Sequence, residues 1–154
     1  MAEKDINIIN RKAAFNYFVS STYEAGIILT GTEIKSVREG KANLSDAYCF
    51  LKNGELWIKS MHISEYAPGS YNNHVTKRER KLLLNKVELR KLASRTREKG
   101  TTIIPVRLYI NERGFAKLEI GVARGKKKFD KRETLKEAEA KREMSRAKKK
   151  YVTS

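Results

Sequence analysis

Over residues 42–64 the apolar positions recur every second residue. Tyr48 and Phe50 alternate with Cys49 and Leu51, and Leu56 and Ile58 alternate with Trp57 and Lys59. A period of two belongs to pleated strand, where successive side chains point to opposite faces. Between the two arms lies Lys52-Asn53-Gly54. Asn-Gly tolerates the positive φ angles of a tight type I′ turn, so 42–51 and 55–64 predict a β-hairpin. Thr101–Asn111 and Phe115–Ala123 flank Glu112-Arg113-Gly114 and predict a second one. Pro105 has no N–H to give a ladder, which makes its strand an edge or bulged there. Phe15–Val19 and Glu24–Leu29, rich in aromatic and β-branched residues, predict two further strands.

Three stretches carry helix signals instead. Thr30-Gly31-Thr32-Glu33 is a capping box: the Thr hydroxyl can accept from the N–H three residues on, and the Glu reaches back. Ile34 and Val37 follow one turn apart and Gly40 closes a short helix over about 31–39. Thr76-Lys77-Arg78-Glu79 has the same form and predicts a helix over about 77–84. Asn85 with Glu88 caps another over about 86–98, its apolar stripe Leu89, Leu92, Ala93 and Thr96 at i, i+3, i+4 and i+7. The sum is about six strands and three short helices in the order β-β-α-β-β-α-α-β-β. Long hairpins with interrupting helices suit a mainly β fold, a small antiparallel β-barrel of oligonucleotide-binding type, better than a parallel sheet. The expected organisation is a flexible N-terminus over 1–9, the barrel over 10–124 and a tail over 125–154.

Charge sharpens the picture. The 154 residues carry 34 Lys and Arg against 18 Asp and Glu, a net charge of +16, a field that attracts polyanions. Nucleic acid is the first expectation, with an anionic membrane second. Residues 124–150 alone hold 13 Lys and Arg against 5 Asp and Glu. Their apolar side chains are too few for a core, so the tail is expected to be disordered when free. Its Lys, Glu, Ala, Arg and Met are good helix formers, and Glu137/Lys141, Glu139/Arg142 and Glu143/Arg146 are opposite charges at helical spacing. The segment is expected to become helical on a polyanionic surface.

Enzyme chemistry finds no foothold. The sequence has no phosphate-binding loop, dinucleotide fingerprint, nucleophile elbow or zinc-protease motif. Cys49 stands alone among apolar neighbours and reads as an inert core thiol; His62 and His74 form no metal-ligand cluster. No catalytic residue, metal, cofactor or small-molecule substrate is expected. No apolar run approaches the roughly 18 residues of a membrane span, and the charged N-terminus lacks a signal peptide's apolar run, which predicts a reducing, cytoplasmic location. The clusters Arg11-Lys12, Lys77-Arg78-Arg80-Lys81, Lys86-Arg90-Lys91, Arg95-Arg97-Lys99 and Arg124-Lys126-Lys127-Lys128 together predict a phosphate-binding footprint. Few aromatics interleave with them, so backbone and shape recognition of structured RNA is favoured over base stacking. A ribosomal protein with a permanently threaded tail is the competing reading.

A string of motifs then carries a resemblance: Asn10-Arg11-Lys12-Ala13, Tyr23-Glu24-Ala25-Gly26-Ile27, Gly31-Thr32-Glu33-Ile34-Lys35-Ser36, Gly40-Lys41-Ala42-Asn43-Leu44, Arg80-Lys81-Leu82-Leu83-Leu84 and Gly125-Lys126-Lys127-Lys128-Phe129-Asp130-Lys131-Arg132. In this order they closely resemble the SmpB family of bacterial SsrA-binding proteins, over about residues 10–132. The resemblance implies a barrel that binds the tRNA-like domain of transfer-messenger RNA in trans-translation. It also implies a tail that enters the decoding region and mRNA channel of the small subunit of a stalled ribosome, standing in for codon–anticodon pairing. It assigns RNA binding to Glu24, Leu83 and Lys117, flanked by Asn10, Arg11, Lys12, Lys126 and Lys127. From the residues alone Glu24 reads as a strand-edge glutamate and Leu83 as core, while Lys117 alternates with Ala116 and Leu118 and so faces away from them. The implied ribosome-facing residues are Lys128, Phe129, Asp130, Lys131 and Arg132 at the decoding site, then Lys136, Lys141, Arg142 and Arg146. Phe129 stands where family members often have His or Tyr, keeping a stacking ring but not the polar edge.

Overall fold

The computed structural model describes residues 6–67, 73–126, 132 and 135–142. Nine strands and three helices bounded within this set run in the order β1 (Asn7–Ile9), α1 (Arg11–Asn16), β2 (Tyr17–Ile27), α2 (Gly31–Arg38), β3 (Ala42–Asn43), β4 (Tyr48–Lys52), β5 (Glu55–Lys59), β6 (His62–Ile63), β7 (Arg80–Leu83), α3 (Lys86–Thr96), β8 (Thr101–Ile110) and β9 (Ala116–Gly125). Residues 135–142 are helical as well. The strands close on themselves: β8, β4, β5, β7, β2 and β9 are neighbours in turn and β9 pairs back to β8. Since β9 occupies one edge of β8 along its length, β4 and β1 share the other. Closure leaves no open sheet edge within the ring, the liability of a small antiparallel sheet.

Both expected hairpin turns are present, but the first hairpin is shorter than arms over 42–51 and 55–64: Tyr48–Lys52 pair with Glu55–Lys59, and Ala42–Asn43 pair with His62–Ile63 as a separate two-stranded sheet. Asn53 and Gly54 at the β4–β5 turn have φ of 52° and 74°, and Gly114 at the β8–β9 turn has φ of 85°. The bulge predicted at Pro105 is a register shift between Pro105 and Arg107. Inward residues of every strand supply the core, with Leu56, Ile58, Leu108, Leu118 and Ile120 fully buried. α2 contributes Val37 and α3 contributes Leu92 to the same cluster. Both helices start as their sequences dictate. Thr30 and Glu33 form the reciprocal capping box, and the Asn85 side chain accepts from the Glu88 N–H at 2.8 Å.

Four expectations need correction. Residues 77–84 are no helix: Arg80 and Leu82 point inward and Lys81 and Leu83 outward, because β7 is inserted between β2 and β5 and completes the ring. Phe15–Val19 and Glu24–Leu29 are not two strands, since Tyr17–Ile27 is one strand crossing the barrel. Phe15 instead belongs to α1, which lies over the outside of the sheet through Ala13 against Ile104 and Ala123. Asn7–Ile9, placed in a flexible segment, pair with Leu108 and its neighbours as β1.

α2 is fastened to β7 by a buried charge cluster. Glu33 and Arg80 are both fully buried. The Glu33 carboxylate accepts from Arg80 Nε, from Arg78 Nη2 at 2.6 Å and from the Thr30 N–H at 2.8 Å. Arg80 Nη1 and Nη2 donate to the carbonyls of Met61 (2.7 Å) and Thr76 (3.2 Å). Burial by itself raises the Glu33 pKa, but the bonds from Arg78 and the Thr30 backbone and the charge of Arg80 outweigh it and hold the carboxyl below its ordinary value.

Candidate nucleic-acid interface

The outer face of the barrel is divided along β2, β9 and β8. At one end α1 covers it. At the other end it is open, and register aligns the exposed side chains in rows across the strands: Gly26 beside Lys117 and Lys117 beside Tyr109, then Glu24 beside Glu119 and Glu119 beside Arg107. On the far side of β2, Gly26 lies beside Leu83 of β7. The three residues singled out as RNA-binding therefore share one surface although they are scattered through the sequence.

Gly26 is what lets them meet. A Cβ there would stand 3.4 Å from Leu83 Cβ and 3.8 Å from Lys117 Nζ, so the lysine lies across the glycine toward the leucine. Leu83 is 50% exposed, against the expectation of a core residue; in a strand, unlike a helix, it and Leu82 face opposite ways. Glu24 is exposed on an interior strand of the ring rather than at a sheet edge. Lys117 is half-buried, with Ala116 and Leu118 inward on either side, as its alternation predicted.

Sequence reasoning missed two neighbours. Arg107 Nε donates to Glu119 Oε2 at 2.8 Å, and its guanidinium lies 4.2 Å from the centre of the Tyr109 ring. Burial, followed by its interaction with the Glu24 carboxylate, pushes the Tyr109 hydroxyl up to about 12, so it remains a donor at neutral pH. The signal was present in the period-two placement of Arg107 and Tyr109 on one face of β8, but not the alignment of Arg107 with Glu119 and Glu24 or of Tyr109 with Lys117 and Gly26.

Other assigned residues lie elsewhere. Asn10 is buried, its side-chain amide donating to the Pro105 carbonyl at 2.8 Å and its N–H to the Val106 carbonyl at 2.8 Å. It holds the start of α1 to the β8 bulge and offers no surface. Arg11 is exposed, and Lys12 approaches exposed Asp46 at 3.8 Å. Lys126 is engaged at the root of the tail: its N–H donates to the Asn16 carbonyl and its Nζ to the Ala14 carbonyl, both at 2.8 Å, with Nζ 4.9 Å from the Phe18 ring centre. The basic cluster at 77–81 loses two members as a phosphate footprint, because Arg78 and Arg80 are bound to Glu33. On α3, Lys86, Arg90, Lys91 and Arg95 are exposed.

Of the tail residues, Arg132, Lys136, Lys141 and Arg142 are helical and exposed. Lys127, Lys128, Phe129, Asp130, Lys131 and Arg146 lie outside the described residues. Burial pushes the Cys49 thiol up, as suits an inert core residue. Among the described residues no helix is long and apolar enough to cross a membrane.

Comparison with known proteins gives one consistent result. A family model described as "SmpB protein" matches residues 7–150. An SsrA-binding protein of Phocaeicola vulgatus is 60% identical over 146 residues, covering 95% of this chain and 97% of that protein. One of Bacteroides thetaiotaomicron is 55% identical with the same coverages. One of Bacillus cereus is 54% identical over 138 residues, 90% of this chain and 88% of its own length. Among solved structures, a chain described in the words "tmRNA-SmpB: a journey to the center of the bacterial ribosome" superposes with a TM-score of 0.69 at 43% identity, covering 84% of this chain and 94% of that one.

Proposed function

Because the chain belongs to the SmpB family of SsrA-binding proteins, we propose that it is a non-enzymatic RNA adaptor which binds transfer-messenger RNA and acts with it in rescue of stalled ribosomes. The observation that carries the assignment of the surface is the convergence of Glu24, Leu83 and Lys117 on one open face of the barrel, with Gly26 bringing the last two together. A lysine meets phosphate, an exposed leucine covers a ribose or base edge, and a carboxylate accepts from amino groups or 2′-hydroxyls that distinguish RNA. This face takes the tRNA-like domain. Arg11 and Lys12 of α1 supply flanking positive charge.

The tail has a separate task in this reading. Residues 125–154 extend from the barrel of residues 10–124, and Lys127, Lys128, Phe129, Asp130, Lys131 and Arg132 occupy the decoding site in place of a codon–anticodon pair. Lys136, Lys141, Arg142 and Arg146 follow along the mRNA channel as a helix. The helical state of residues 135–142 supports this assignment.

The test is binding of the full chain, and of a truncation after Gly125, to the tRNA-like domain across a salt series, with ordinary tRNA and a generic hairpin as competitors. Both forms prefer the tRNA-like domain if the barrel recognises it, and Lys117→Met weakens binding while lowering the salt slope by about one phosphate contact. Equal binding of all three RNAs, abolished by truncation, reduces the interaction to tail charge and rejects the barrel site.

A further inference from the structure

A second outer surface of the barrel, over β4, β5 and β7, carries aromatic side chains that the core does not use. The period of two that sends Cys49, Leu56 and Ile58 into the core turns Tyr48, Phe50 and Trp57 outward. Phe50 and Trp57 are directly opposed across the β4–β5 ladder, and the Tyr48 ring lies 6.4 Å from that of Phe50. Tyr48 is 42% exposed and the other two are half-buried. Lysines frame the rings. Lys59 is opposite Tyr48 at one end of the ladder and Lys52 stands at the other, both exposed. Lys81 of β7 lies beside Trp57 and is ion-paired with Glu55. Three lysines against this one glutamate leave the surface positive. Tyr48 also lines a cleft with Lys12, Tyr17 and Asp46. Phe50 and Trp57 stand seven residues apart on two arms, so no run of mixed aromatic and basic residues marks this surface in the sequence. The hairpin register assembles it.

We propose that this surface is a platform for unpaired nucleotides: bases of a single-stranded RNA stretch stack on Tyr48, Phe50 and Trp57 while Lys52 and Lys59 meet its phosphates. Every base has a π face, so aromatic rings in a basic surround hold a single strand whatever its sequence. Sheets that present neighbouring aromatics on one face take two or three unpaired bases in this way. The row from Tyr48 to Lys52 is about 13 Å long, which suits that number. Exposed rings alone would suit a protein partner equally, but lysines at both ends and a net charge of +16 favour a polyanion. Position supports the same occupant. On the outer row of β7, Lys81 beside Trp57 and Leu83 beside Gly26 are two residues apart, so the platform is continuous with the proposed RNA face. One RNA can hold a structured part against Glu24, Leu83 and Lys117 and lay an unpaired stretch over the rings. The platform itself does not depend on that assignment.

Trp57 is the chain's only tryptophan, so its fluorescence reports on this surface directly. The full-length protein is titrated with single-stranded oligo(U) of about ten nucleotides and, separately, with a blunt RNA hairpin of the same length. Saturable quenching by the single strand and little by the hairpin is expected. Phe50→Leu keeps the apolar volume and removes one ring. It is expected to weaken single-strand binding about tenfold, the loss of one stacked base, and to leave hairpin affinity within about twofold. Tyr48→Leu repeats the test at the exposed end of the row, with less risk to the hairpin, and circular dichroism confirms that each variant folds. Lys117→Met is expected to leave the quench intact, so failure of the tRNA-like-domain assignment and failure of the platform are separately visible. Equal quenching by both RNAs overturns the platform, as does single-strand binding that leaves Trp57 unquenched. Single-strand affinity unchanged in both Phe50→Leu and Tyr48→Leu overturns it too, leaving the rings as a brace for the hairpin and charge alone as the hold on RNA.

Discussion

Replacing Arg80 by Met tests the buried charge cluster most directly. Arg80 is fully enclosed and makes three sets of contacts: to the Glu33 carboxylate and to the carbonyls of Met61 and Thr76. Met fills much of the same volume, so the substitution removes charge and donors rather than bulk. Two carbonyls lose a donor and a buried carboxylate keeps only Arg78 and the Thr30 N–H. Breaking a buried ion pair from one side costs about 3–5 kcal/mol. For a chain of this size that is a fall of roughly 10 °C in melting temperature. Arg78→Met is the control. Its side chain is 36% exposed, so water replaces part of what is lost and the cost falls to about 1 kcal/mol. The assay is urea unfolding followed by the fluorescence of Trp57, the sole tryptophan, which lies on β5 beside Lys81 of β7. The pH dependence adds a second check. Glu33 titrates below its ordinary value in the folded state, so its stabilisation is present above the unfolded pKa and is lost as pH falls through the lowered folded one. In the Arg80→Met protein the carboxyl loses its closest cation, its folded pKa rises, and protonation relieves the buried charge. The deficit relative to the parent therefore narrows in acid. Equal destabilisation by Arg80→Met and Arg78→Met, or a deficit that widens as pH falls, refutes the account.

Two further perturbations probe local geometry. A Cβ at Gly121 would stand 2.6 Å from Val19 Cγ1 and 3.3 Å from Val106 Cγ2, so Gly121→Ala is expected to destabilise by about 1–3 kcal/mol in the same unfolding assay, with much of the loss recovered when Val19→Ala is added. Asn85→Ala removes the cap of α3 and should cost about 1 kcal/mol, visible as earlier loss of helical ellipticity on heating.

The local signals proved legible where one short-range cause decides the conformation. Asn53-Gly54 fixes its turn by tolerating positive φ, Thr30 and Glu33 satisfy each other's backbone donors, and Pro105 displaces a ladder. The failures came where partners distant in sequence override a local signal. Thr76–Glu79 has the form of a helix cap, yet Arg80–Leu83 is drawn into the gap between β2 and β5 and its arginine is claimed by Glu33, 47 residues away. The same displacement explains Leu83, which a helical reading buries and a strand turns outward. For the proposed RNA face, motifs supplied Glu24, Leu83 and Lys117, but only strand register reveals that Gly26 joins two of them, that Tyr109 lies beside Lys117 and that Arg107 lies in the row of Glu119 and Glu24. Arg78 and Arg80 show the converse: a run of basic residues gives charge, not exposure.

The docking of Lys126 onto the carbonyls of Ala14 and Asn16 sets a length scale for the whole molecule. It makes residue 126 the fixed end of the tether between barrel and tail, and a helical residue is present by position 132. Six residues span at most about 20 Å even when fully extended. A helical residue thus lies within about 20 Å of Lys126, so in the proposed reading a barrel bound to RNA would hold the tail within a small volume, at millimolar-scale effective concentration. Lengthening the chain between 126 and 132 with Gly-Ser repeats would dilute it in that volume, a loss that falls on the second attachment and leaves the first untouched.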